Sequence, residues 1–153
     1  MNWYKISQLV TETEQSEHYL GGPTVNIRPY EPIIQEAVDE LGNESPGIFD
    51  NITDINVDFG YGQFGSVGSQ SPNSINLNIE KLKSEVTTAL GRSFSAQDQE
   101  SINMIKYFVK QTIMHEIGHV LDEEIDETGN ISFPGGEQVA EKMQQDWAQA
   151  NPL

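Results

Sequence analysis

The sequence predicts a small α+β domain, a modest and mostly antiparallel sheet packed on one long helix, with a further helix at its C-terminal end. Three observations carry this reading. Apolar residues recur at helical spacing from 102 to 121 without interruption. Two shorter stretches, 52–59 and 74–79, alternate apolar and polar residues as half-buried strands do. A break at Phe133-Pro134-Gly135-Gly136 divides the long helix from a last amphipathic stretch. At 153 residues the chain suits one domain, 1–153, with its own core.

The elements follow in order. Residues 31–41 form a helix: Pro32 suits a first turn, Ile33, Ile34, Ala37, Val38 and Leu41 make one stripe, and Gly42 suits the stop. In 52–59, Ile55, Val57 and Phe59 face one way and Asp54, Asn56 and Asp58 the other. The glycine-rich stretch 60–68 holds a second strand around 63–67. Its glycines at 60, 62, 65 and 68 match no phosphate-binding spacing, and no Lys-Ser/Thr pair closes it. In 74–79, Ile75, Leu77 and Ile79 share a face opposite Ser74, Asn76 and Asn78. Residues 80–90 form a helix ending at Gly91. The long helix starts near Ser95, read as its N-cap with Asp98 at the acidic third position, and runs to about 123. Its acidic end, including Asp122 and Asp126, opposes the helix dipole and reads as a solvated surface. The last helix, 137–149, carries an apolar stripe of Val139, Ala140, Met143 and Trp147.

Composition excludes several chemistries. There is no cysteine, so disulfides, thiolate metal sites and a cysteine nucleophile are ruled out. A transition-metal site must draw on Asp, Glu and three histidines: His18, His115 and His119. The formal charge of −16 repels nucleic acid and anionic membranes. No run is apolar enough to cross a bilayer, and Met1-Asn2-Trp3-Tyr4-Lys5 lacks the features of a secretory signal, so a cytoplasmic monomer is the default expectation.

The chemistry lies in Thr112-Ile113-Met114-His115-Glu116-Ile117-Gly118-His119-Val120-Leu121, whose centre is His-Glu-x-x-His. Two histidines four residues apart on a helix project from one face and converge on one cation. Glu116, about 100° further round the helix, reaches a water at that cation without taking a ligand position. The flanking positions are uncharged, whereas histidines on a solvated face usually have charged neighbours. Gly118 costs about 1 kcal/mol of helix stability against alanine, which close approach of another segment would justify.

This segment resembles the active-site helix of the zincin metallopeptidases, and the order of elements resembles a minimal zincin. The resemblance implies a zinc-dependent peptidase acting on a peptide or protein, with His115 and His119 as ligands and Glu116 as general base. It also implies a cleft lined by an edge strand, for which Ser74–Ile79 is the candidate. A non-catalytic zincin-like module that binds metal or a partner is the alternative, though a structural site has no need of a base. The metzincin extension is absent, because position 125 is Ile. A gluzincin-like pattern fits better and takes its third ligand from a glutamate on a later helix. Glu137 and Glu141 follow His119 by 18 and 22 residues. Glu137 opens an E-x-x-x-E run resembling the E-x-x-x-D run of thermolysin-like enzymes. That favours Glu137 as ligand and Glu141 as outer partner to a ligand histidine, and the two roles are exchangeable. Tyr61, Tyr107 and His18 are candidates to stabilise an oxyanion, with Tyr107 and His18 read first as packing and surface residues.

Overall fold

The structure is a computed structural model that describes residues 25–57, 64–67, 73–122, 124–128, 130–132 and 134–152. Strand β1 (Asn26–Arg28) leads into helix α1 (Pro32–Glu44), followed by strands β2 (Asp54–Asn56), β3 (Gly65–Val67) and β4 (Ser74–Leu77). Helices α2 (Ile79–Leu90) and α3 (Gln99–Leu121) come next. A short hairpin of β5 (Glu124–Ile125) and β6 (Ile131–Ser132) precedes helix α4 (Gly136–Ala150). The fold is therefore α+β with a C-terminal helix, as the sequence predicts. Among the described residues no helix is long and apolar enough to cross a membrane. His18, Tyr61, Phe59 and Asp58 lie outside the described residues.

The main sheet has the order β1-β2-β4-β3. It is mixed rather than mostly antiparallel: β1–β2 and β2–β4 are parallel, and only β3–β4 is antiparallel. Alternation of apolar residues is the same in either sense, so it cannot set strand direction. Direction follows from connectivity, and α1, which joins β1 to β2, supplies the crossover that a parallel pair requires. The order also overturns the expected edge. Ser74–Leu77 lies inside the sheet, and β3 takes the edge beside α3.

Ile27, Ile55 and Ile75 align across three strands, and each is buried against the helices. Ile34, Ala37, Val38 and Leu41 of α1 meet Ile105, Val109, Ile113 and Ile117 of α3 in the same core. Each fully buried side chain of this size contributes about 1.5–3 kcal/mol. Because α3 touches α1, α2, α4 and the sheet, it is buried on most of its circumference.

The helix ends differ from expectation where tertiary contacts compete with local signals. Gly42 is buried inside α1, which continues to Glu44 and is capped by Ser45. The last turn is held by Lys106, which bonds Glu36 and Glu40, and by Lys110, which bonds Glu40 and Glu44. Lys110 is itself buried, so its ammonium requires those carboxylates. Asp98, not Ser95, caps α3: its carboxylate accepts from the Ser101 N–H, while Ser95 Oγ accepts from Gln97 N–H. Asn78 and Gly91 bound α2, the glycine in the left-handed conformation the turn requires. In α4, Ala140 and Trp147 are buried, but Val139 is exposed, as is Leu121 of α3.

Candidate metal centre

Helix α3 carries His115 and His119 on one face, with ring centroids 5.1 Å apart and the planes nearly perpendicular. Glu137, in the first turn of α4, meets both. Its carboxylate lies 2.7 Å from His119 Nε2 and 3.1 Å from His115 Nε2. One nitrogen from each ring and one carboxylate oxygen lie within 4.8 Å of one another. That spacing suits a small cation with bonds of roughly 2.0–2.2 Å, and the donor set of two imidazoles and a carboxylate suits zinc. Among the described residues no fourth His, Asp or Glu joins the group. Glu137 is the exposed member of the group, its side chain 64% exposed against 18% and 17% for the histidines.

Two features aim Glu137 at α3. Gly118 lets the helices lie close: a Cβ there would stand 2.7 Å from the Ala140 Cα. The glycine therefore permits the approach that its helix-propensity cost suggested. The second feature is Asp122, just past the end of α3. Its Oδ2 accepts from Gly135 N–H at 2.7 Å and Gly136 N–H at 3.1 Å, satisfying amides at the start of α4. Asp122 is thus a clamp between the two helices and not the solvated acid its position suggested. Asp126 caps the turn of the β5–β6 hairpin, accepting from Thr128 and Asn130, and takes no part in the centre.

Asp122→Ala should lower stability by about 1–3 kcal/mol, the cost of leaving charge-assisted bonds unmade. Because the start of α4 would loosen, zinc affinity should fall as well. Asp122→Asn, which keeps an acceptor oxygen, should lie between the two in thermal melts and zinc titrations.

Glu116 is buried, 6% exposed, and its carboxyl feels the charges of His115, His119 and Glu137. Its carboxyl is pushed above its ordinary value by burial, against the opposing pull of His115 and His119, while the Glu137 charge adds to the rise. Burial also acts upward on Glu137, but bonds and charge from His119 and His115 bring it below its ordinary value. The pair is thus split into an acid that ionises readily beside the histidines and one that burial makes hold its proton more tightly. Edge strand β3 runs past Glu116. A Cβ on Gly65 would lie 3.4 Å from Glu116 Cγ, 2.7 Å from Thr112 Cγ2 and 2.9 Å from the Asn76 carbonyl oxygen. Only glycine allows the strand to lie this close to the motif helix.

The structure thus brings together His115, Glu116, His119 and Glu137. Glu141 is exposed on α4, and the outer partner of His115 is Gln144, whose Oε1 lies 2.9 Å from Nδ1. The expectation that Glu141 fills that position is corrected: the face of α4 turned to α3 carries 137, 140 and 144, and residue 141 falls to its side. Tyr107 stacks against Trp147 at 5.4 Å and Phe108 at 6.1 Å, which is a packing role. Sequence reasoning missed Gln144 and the clamp of Asp122. The signal for Gln144 was its spacing of seven from Glu137, two helical turns on one face.

No family model, curated protein or solved structure matches the chain.

Proposed function

We propose that the chain is a zinc-dependent metallopeptidase of the zincin kind, gluzincin-like in taking its third ligand from a later helix. The observation that carries this reading is the convergence of His115, His119 and Glu137 on one point, with the buried carboxylate of Glu116 alongside. Zinc held by these three residues would polarise a peptide carbonyl and acidify a water.

The chain's own residues do the rest. Glu116 accepts a proton from the attacking water and passes it to the departing amine, a task suited to a carboxyl whose affinity for protons burial has raised. Among the described residues β3 has a neighbour on one side only, so its other edge is the place for an extended peptide to pair through main-chain hydrogen bonds. Gly65 brings that edge within reach of Glu116, which sets the scissile bond beside the base. The charge of −16 opposes polyanionic substrates, and peptides or proteins are the class that the zincin resemblance implies.

The test is cleavage of unstructured casein by protein reconstituted with zinc. Cleavage should stop when a chelator is added and resume when zinc is restored. Zinc uptake without any cleavage across a set of unstructured substrates would replace this reading with that of a metal- or partner-binding module.

A further inference from the structure

We propose that Gln144 is the positioning residue of the metal centre: its amide oxygen fixes His115 with Nδ1 as the N–H donor and so turns the Nε2 lone pair toward the metal. This rests on the zinc site of the proposed function and goes beyond it, naming a neutral amide where an acid was expected.

A neutral imidazole has one N–H and one lone pair, and what meets one nitrogen decides which of the two carries the proton. His115 has a partner at each nitrogen. Gln144 Oε1 is 2.9 Å from Nδ1, and Glu137 Oε2 is 3.1 Å from Nε2. With a cation between Nε2 and the Glu137 carboxylate, Nδ1 is the nitrogen left to carry the proton, and the Gln144 oxygen is placed to accept from it. Nε2 is then the ligand atom, on the side where His119 Nε2 and the Glu137 carboxylate converge.

The arrangement is built into one stripe of α4. Glu137, Ala140 and Gln144 stand at positions i, i+3 and i+7, which lie on one helical face. Ala140 backs onto Gly118, so the helices close between the two polar residues. The same face therefore supplies a ligand at one end, a contact small enough for close approach in the middle, and an orienting amide at the other end. Gln144 is half-buried, so protein surrounds the bond partly in place of water.

An amide accepts without adding charge. A carboxylate in the same place would accept the same bond and make the imidazole a stronger ligand. Loss of an outer partner of a ligand histidine typically costs about 10–100-fold in metal affinity.

The experiment is zinc affinity by competition with a chromophoric chelator, on the full chain and on Gln144→Ala, Gln144→Leu and Gln144→Glu. Thermal melts of the metal-free proteins run in parallel. Gln144→Ala and Gln144→Leu should each bind zinc about 10–100-fold more weakly, and Gln144→Leu should melt with the wild type because it keeps the bulk of the side chain. Gln144→Glu should bind at least as tightly as wild type. Wild-type affinity in both Gln144→Ala and Gln144→Leu would overturn the inference. So would a Gln144→Glu protein as weak as Gln144→Leu, since the acceptor would then have no effect. If the wild type itself took up no zinc, the metal site would fail and this inference with it. That result is distinct from tight binding by every variant, which would sink the role of Gln144 alone.

Discussion

Glu116→Gln is expected to keep zinc and fold while losing about 10²–10⁴-fold in the rate of peptide hydrolysis. The substitution preserves shape and volume at a site that is 6% exposed, so no cavity forms. What it removes is a group able to accept a proton. The same substitution should leave stability unchanged at low pH and raise it once pH exceeds the folded-state value of Glu116. The folded-state pKa of Glu116 is raised, so folding is favoured while the carboxyl is protonated, and that favour is lost as pH rises through the folded value. Above that value the buried charge is a liability, and the amide relieves it. Three measurements on one preparation check the prediction: zinc per chain, melting temperature and casein cleavage. Full activity with zinc retained would show that another group takes the proton. Loss of zinc would mean that Glu116 supports the ligands and is not only a base.

The second large effect is expected at Glu137. Glu137→Ala should reduce zinc affinity by more than the roughly 10–100-fold typical of an outer partner, because a direct ligand is removed. Hydrolysis should disappear with the metal. His115→Ala and His119→Ala should behave alike, since each also removes one of three ligands. Glu141→Ala is the control: the residue is exposed, and its zinc content should match the wild type. Elemental analysis after dialysis against metal-free buffer reads all four variants. Zinc retained in Glu137→Ala and lost in Glu141→Ala would exchange the two roles and require α4 to turn a different face to α3.

Parts of this centre were legible in the residues alone. His115, Glu116 and His119 are local: five residues of one helix set their relation, and α3 forms because its apolar spacing is sustained over the whole stretch. The purpose of Gly118 was legible as well, because a glycine inside a strong helix asks for a close neighbour. Its partner, Ala140, was not. The start of α3 shows the limit of local signals. Both Ser95 and Asp98 are good caps, and only the bond from Asp98 to Ser101 N–H separates them.

Glu137 and Glu141 were separable only by analogy, because both lie near the start of a helix whose rotation about its own axis the sequence does not state. The contact of Ala140 with Gly118 and the clamp from Asp122 to Gly135 and Gly136 set that rotation. Once it is set, Glu137 reaches the histidines, Gln144 reaches His115, and Glu141 faces solvent. The sheet follows the same division. Alternation identified Ser74–Ile79 as a strand, yet the strand ends at Leu77, and pairing made it an interior one and left β3 as the edge beside Glu116.

By itself, then, the sequence determined the elements, the motif helix and the side chains that share its face, because each depends on periodicities within a few turns of one segment. The placements of Glu137 against the histidines, of Gln144 against His115 and of the strand beside Glu116 were decided only in the tertiary structure. Each depends on how separate segments are rotated and paired against one another, and that is settled by contacts such as Gly118–Ala140 and Asp122–Gly135 between residues on different elements.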